Sequence, residues 1–236
     1  MNTLPNLHQM QGAYFISGID TDIGKTIVTG YIARRLLDSH QQVITQKLIQ
    51  TGNAKISEDI EKHRRMMGVG MLPDDDARLT MPLVLSYPAS PHLASRIDGI
   101  AVDTDHITAC TEQLLARHDI VLIEGAGGLM VPLKADTNDG LIIDYIQSQG
   151  YPVILVTSGR LGSINHTLLS LSALKSYGIH LHALAYNQAD DSSDEVIAAD
   201  TKQYLQAYLK THHSDALWWE IPRVDEDEHS FGLQHS

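Results

Sequence analysis

Gly18-Ile-Asp-Thr-Asp-Ile-Gly24-Lys25-Thr26 brings two glycines, a lysine and a threonine together directly after the apolar run Ala13–Ser17. A loop that leaves a strand and opens a helix aims its backbone N–H groups at one point, and the helix dipole adds positive potential there. Gly24 lets the backbone come close to an anion, and Lys25 can reach phosphate oxygens. The Thr26 hydroxyl is a hard oxygen donor suited to Mg²⁺. The pattern predicts a loop that cradles a nucleoside triphosphate. Five residues separate the glycines where four are usual. The alternative is a plain strand–helix turn with a hinge glycine and a solvated lysine. The coincidence of strand, Lys-Thr pair and helix favours phosphate.

A second group lies far downstream. Ile120-Val-Leu-Ile-Glu124 is an apolar run ending in a carboxylate, followed by Gly125-Ala126-Gly127-Gly128. In nucleotide-binding loops of this kind, the acid at the end of a central strand faces the Mg²⁺ held by the loop threonine. The glycines would let a backbone pass close to a phosphate or substrate. Lys47 ends another short strand, Gln42–Leu48, on the side of an open α/β sheet where ligands bind. The bland alternatives are a surface carboxylate before a turn and an exposed strand-end lysine.

Other constellations are weaker. None of the 13 histidines shows ligand spacing with cysteine or glutamate, so they read as surface or strand residues. Asp74–Asp76 reads as a solvated acidic turn inside a loop, Gly68–Asp76. Cys110 is the only cysteine; it reads as an inert half-buried thiol on a helix and fits a reducing compartment. No Gly-x-Ser-x-Gly elbow supports serine hydrolase chemistry.

The elements that must hold these groups alternate regularly. Strands are expected at Ala13–Ser17, Gln42–Leu48, Ile120–Glu124, Pro152–Thr157, Ile179–Tyr186 and Leu217–Ile221. Helices are expected at Ile23–Leu37, Ser57–Met67 with Ser57 as cap, Ile107–Arg117, Leu141–Gln149, Ser163–Ser176 and Ser193–Lys210. Runs such as Val153-Ile-Leu-Val are apolar on both faces, which requires helices on both sides of a parallel sheet. The fold class is therefore α/β, a doubly wound, mostly parallel sheet flanked by helices, in a single domain. That domain spans 13–224, between a loosely held segment 1–12 and a polar tail 225–236.

Composition narrows the function. Seventeen Lys+Arg against 29 Asp+Glu give a formal charge of −12, opposite to what a phosphate-neutralising nucleic-acid binder carries. No apolar run approaches the roughly 20 residues that span a bilayer, and no basic-then-apolar leader is visible, so the expected compartment is cytoplasmic.

Three segments together resemble dethiobiotin synthetase: Gly18–Thr26, Lys47-Leu-Ile-Gln-Thr51-Gly52 and Glu124–Gly128. Ser90-Pro91-His92, Arg160-Leu-Gly-Ser-Ile-Asn165-His166 and Glu220-Ile-Pro222 extend the resemblance from about Tyr14 to Val224. It implies a P-loop NTPase-like fold and an ATP-dependent cyclo-ligase using Mg²⁺. The implied substrates are 7,8-diaminopelargonic acid, CO₂ and ATP, and the implied assembly is a homodimer.

Carried over by residue, Thr26, Asp59 and Glu124 would surround the metal. Asp22, Ile23, Gly24, Lys25, Thr26 and Ile27 would wrap the phosphates, with Gly125, Ala126 and Gly127 nearby. Lys47 and Lys25 would be the catalytic cations. Thr51, Ser90 and Pro91 would meet the substrate, as would Asn165 from a neighbouring subunit. Asn187, Gln188, Pro222, Arg223 and Val224 would line the adenine pocket. The chain departs from the family pattern with Leu48 in place of a proline and Arg160 in place of a common lysine. Glu58 and Glu61 stand as alternatives to Asp59. Partitioning ATPases carry a lysine five residues before the loop lysine; Asp20 stands there instead. A cobyric-acid-type amide synthetase and a nucleotide-dependent regulatory ATPase are the competing functions.

Overall fold

The doubly apolar strands form one sheet, as their sequence requires. In a computed structural model, which describes residues 4–134 and 140–224, the strands are β1 (Gly12–Gly18), β2 (Val43–Lys47), β5 (Ile120–Gly128), β6 (Val153–Thr157), β7 (Leu181–Asn187) and β8 (Leu217–Ile221). They lie parallel in the order β2-β5-β1-β6-β7-β8. Two short strands, β3 (Gln50–Thr51) and β4 (Val84–Leu85), pair separately. The helices are α1 (Lys25–Asp38), α2 (Glu58–Met67), α3 (Pro73–Asp76), α4 (Pro91–Asp98), α5 (Thr104–Leu115), α6 (Ile142–Gln149), α7 (Ser163–Ser176) and α8 (Glu195–His212). The strand order reverses beside β1, so the carboxyl ends of β1, β2 and β5 open onto one crevice.

Alternation along each strand divides the core in two. Phe15, Ile44, Val121, Ile123 and Leu155 pack under α5 to α8 on one face. Ile16, Val43, Ile120, Leu122 and Val156 pack under α1 and Met67 of α2 on the other. Each fully buried large aliphatic side chain contributes roughly 1.5–3 kcal/mol. The same alternation decides where polar residues go. Thr45 and Lys47 follow Val43 to the α1–α2 face, as Glu124 follows Leu122. Gln46 turns the other way and bonds Leu79 O and Thr111 Oγ1.

Two readings of the sequence change. Residues 4–12 are not loose: Leu7–Gln9 form a short 3-10 turn, and Leu4, Leu7 and Met10 are buried in the second core. Trp219 Nε1 donates to Pro5 O across 3.1 Å. The remaining terminal residues, 1–3 and 225–236, lie outside the described residues. The acidic turn is exposed only at Asp76. Asp74 and Asp75 are buried on α3, where Asp75 accepts two hydrogen bonds from Arg64 (2.9 and 2.7 Å) and one from Thr80 (2.6 Å). Asp74 meets Arg117 and His118. Local composition alone could not reveal partners this far along the chain. Helix α4, which begins at the Ser-Pro-His segment, and the β3–β4 pair had no readable periodicity.

β7 also carries His182, whose ring packs edge-on to Tyr14 (4.7 Å) and Trp219 (5.5 Å). Its buried Nε2 has no hydrogen-bond partner among the described residues. Desolvation, with a smaller effect of His180, pushes its pKa down to about 4. The unfolded chain therefore binds an extra proton as pH falls below about 6.5, and stability declines progressively until about pH 4. Urea midpoints measured across that window should show the decline, and His182→Phe should flatten it. An unchanged slope in the variant would refute the assignment.

Candidate active site

Three strand ends and one capped helix build the site. Thr26 is the second residue of α1, just beyond the loop that ends β1. Lys47 and Glu124 end β2 and the apolar part of β5, and they are register partners across those strands. Ser57 caps α2 by accepting from Ile60 N (3.2 Å), which fixes the first turn and so Asp59. The Thr26 hydroxyl lies 3.0 Å from Asp59 Oδ1 and 3.0 Å from Glu124 Oε1. Lys47 Nζ stands 2.6 Å from Asp59 Oδ2, 2.7 Å from Glu124 Oε1 and 3.2 Å from Gly125 O. Asp59, rather than Glu58 or Glu61, is the α2 carboxylate at this centre.

Burial makes the charges interdependent. Glu124 is 1% exposed and Lys47 5%, so neither is the surface residue of the bland readings. Burial alone would raise the Glu124 pKa. Lys47 and His63 overcome it and hold the carboxyl far below its usual range. Burial likewise lowers Lys47, but Glu124 and Asp59 outweigh it and keep the ammonium charged. Lys25 is different. Desolvation is its largest influence and its pKa is lowered, with Glu124 opposing and Lys47 adding to the shift. Its Nζ donates to Asp20 O (3.2 Å).

The donor set fits a hard divalent cation. Thr26 has one hydroxyl proton but two carboxylate oxygens at equal distance, so one contact sets a lone pair against an anion. A cation at that point relieves the conflict, and hydroxyl and carboxylate oxygens are the ligands that Mg²⁺ prefers.

A cavity of about 710 Å³ spreads from this centre. Among the residues singled out in the sequence, Asp22, Gly24, Lys25, Thr26, Ile27, Lys47, Thr51, Asp59, Ser90, Pro91, Glu124, Ala126 and Gly127 line it. Thr51 comes from β3, and Ser90 and Pro91 from the start of α4, so the small second sheet forms the far wall. Ile23 sends its side chain into the core, while its carbonyl accepts from Asn187 Nδ2 (2.9 Å). Gly125 faces the site through its carbonyl. Asn187 is buried at the end of β7. Gln188 bonds Glu220 and accepts from Arg223 Nε, so Gln188 and Pro222–Val224 cluster at the β7 and β8 ends beside the loop, outside this lining. Asn165 is exposed on α7 and is not among the residues lining this cavity.

Reading the sequence missed His63. Its ring is fully buried, 2.8 Å from Glu124 Oε2. Its spacing of four from Asp59 on a helix was the available signal.

Gly24 holds φ at +88°, and a Cβ there would lie 2.2 Å from Asn187 Nδ2. Gly24→Ala should therefore displace the loop and weaken ATP binding by an order of magnitude or more. Calorimetric titration with ATP checks this, and unchanged affinity would contradict it.

Comparison with known proteins identifies the family. A family model described as an AAA domain matches residues 12–217. ATP-dependent dethiobiotin synthetase BioD 2 of Pasteurella multocida is 45% identical over 209 residues, covering 89% of this chain and 96% of the relative. The protein of the same name from Haemophilus ducreyi is 47% identical over 198 residues, covering 84% and 92%. ATP-dependent dethiobiotin synthetase BioD of Chlorobaculum tepidum is 46% identical over 197 residues, covering 84% and 81%. Among solved structures, a protein described as a plasmid partition protein of Borrelia burgdorferi, bound to AMPPNP, superposes with a TM-score of 0.54 at 12% identity, covering 95% of this chain and 92% of that one. Chloroplast FtsY of Physcomitrella patens gives 0.51 at 16% identity, covering 96% and 63%. These two likenesses show the fold alone. The chain belongs to the ATP-dependent dethiobiotin synthetase family.

Proposed function

We propose that this enzyme joins CO₂ to 7,8-diaminopelargonic acid, using Mg·ATP to close the cyclic urea of dethiobiotin. The observation that carries the reading is the convergence of Thr26, Lys47, Asp59 and Glu124 at one buried centre on the floor of the cavity. One substrate amine takes up CO₂ as a carbamate. A carbamate oxygen attacks the γ-phosphorus of ATP and ADP leaves. The second amine then attacks the carbonyl carbon, phosphate departs and a proton is lost.

The transfer brings two anions together, so the protein's task is to position them and offset charge. Thr26, Asp59 and Glu124 would hold Mg²⁺, which when bound offsets the charge on the phosphate oxygens. Lys25 and the N–H groups at the start of α1 hold the triphosphate. Lys47 meets the reacting oxygens. Its three N–H donors are all occupied by Asp59, Glu124 and Gly125 O, so it serves the substrates by giving up one of these partners. Thr51, Ser90 and Pro91 on the opposite wall hold the diamine. Asn187, Gln188 and Pro222–Val224 receive the adenine.

We assign the active form as a homodimer, in which Asn165, exposed beside Leu161 (82% exposed) and Leu169 (63%) and outside its own chain's cavity lining, meets the diamine of a neighbour. No described helix is long and apolar enough to cross a membrane. With a lone cysteine as well, we place the reaction in the cytoplasm.

A partitioning-type switch is disfavoured, because Asp20 pairs with Arg160 (2.6 Å) where such proteins carry a lysine. ADP release that requires both the diamine and CO₂ would support the ligase. ATP turnover indifferent to the diamine would overturn it. Lys47→Ala should leave ATP affinity within a few-fold while product formation falls by at least about a hundredfold. Lys25→Ala should weaken ATP binding as well, since its charge meets the phosphates before the reaction. Equal losses of affinity and turnover in Lys47→Ala would remove the catalytic role.

A further inference from the structure

Helix α2 sets Asp59 and His63 one turn apart on one face, and β2 sets Thr45 and Lys47 on the face that α2 covers. Where they meet, His63 Nδ1 lies 3.1 Å from Thr45 Oγ1 and Nε2 lies 2.8 Å from Glu124 Oε2. Arg64 NH1 donates to the same Thr45 hydroxyl (2.8 Å) and is itself clamped by Asp75.

The direction of each bond follows from its ends. A guanidinium only donates, so Thr45 Oγ1 accepts from Arg64. Among the described contacts, the single Thr45 hydroxyl proton then has His63 Nδ1 as its one acceptor. An ionised carboxylate only accepts, so Nε2 must donate to Glu124. Both ends place the ring proton on Nε2. The opposite tautomer would set a lone pair against the carboxylate and strand a buried hydroxyl proton, each a costly unmade bond.

We infer that His63 is a positioning residue for phosphoryl transfer. It takes Oε2 of Glu124 and thereby turns Oε1, the oxygen nearest Thr26 and Lys47, into the site. The relay runs from Asp75 through Arg64, Thr45 and His63 to Glu124. It gives a second fixed point to a carboxylate whose other oxygen is held by Lys47 and Thr26. This inference rests on the proposed reading of the centre as a Mg·ATP site. Groups that orient a metal ligand typically contribute 10–100-fold to metal affinity or activity.

The test uses the full chain, with Mn²⁺ as the paramagnetic probe. His63→Leu should weaken Mn·ATP binding, read by electron paramagnetic resonance, by 10–100-fold. It should also raise the Mg²⁺ needed for half-maximal turnover in parallel, with the diamine KM changed less than about threefold. His63→Gln, whose amide restores a donor towards Glu124, should recover most of the loss. Thr45→Val should weaken binding less and add nothing in the His63→Leu background. Nitrogen chemical shifts of the imidazole in the metal-free protein should show the proton on Nε2.

Unchanged Mn²⁺ affinity in folded His63→Leu overturns the inference. So does a glutamine variant as impaired as the leucine one, or a proton found on Nδ1. If the leucine variant does not fold, His63→Gln against Thr45→Val and the tautomer measurement decide. The metal and tautomer measurements need no diamine. Failure of the wild type to form product therefore counts against the proposed reaction and leaves this inference to stand or fall separately.

Discussion

A strand-end lysine held between the carboxylate of the adjacent buried strand and one from helix α2 is the constraint around which this molecule is arranged. Lys47 and Glu124 are register partners, and both are almost fully withdrawn from water. Neither could be buried alone: removing one partner of such a pair leaves an uncompensated charge worth about 3–5 kcal/mol of instability. Asp59 supplies the second anion, and its place depends on α2 being capped and packed against α1 and β2. The charged centre and the sheet register are therefore one structure seen at two scales.

That centre carries stored electrostatic work. Thr26 faces two anions with one proton, and Lys47 has committed every donor. Such an arrangement is fully satisfied only when further charges arrive. Phosphate oxygens would relieve the cations, and a hard metal would relieve the carboxylates. Preorganisation of this kind costs nothing at the moment of reaction, because the dipoles and charges are already aimed. The stability of the surrounding sheet offsets the strain in advance.

A series of buried pairs links a turn distant in sequence to the Glu124 carboxylate. The acidic turn on α3, far from the strand ends in sequence, clamps Arg64, and Arg64 fixes the Thr45 hydroxyl. An unpaired polar side chain is costly in a low-dielectric interior, so each link favours the next. Asp75, within a run that looked solvated, is the anchor of that series.

Much of this was legible in one dimension. The Gly18–Thr26 loop, the strands apolar on both faces and the carboxylate ending Ile120–Glu124 each carry their meaning locally. A phosphate cradle needs only contiguous backbone and a helix start, and burial on two faces shows directly in an unbroken apolar run. Those features determined the parallel α/β fold, the loop and the residues Thr26 and Glu124, while Lys47 stood out by its strand end and the family resemblance. Tertiary structure alone decided that Asp59 rather than Glu58 or Glu61 completes the centre, that Asp74 and Asp75 are buried, and that His63 touches Glu124. It also placed Asn187 against the loop through Ile23. Each of these depends on a helix face meeting a strand face, or on partners tens of residues apart. Side-chain spacing along a chain states which residues share a face, but only packing states what that face meets.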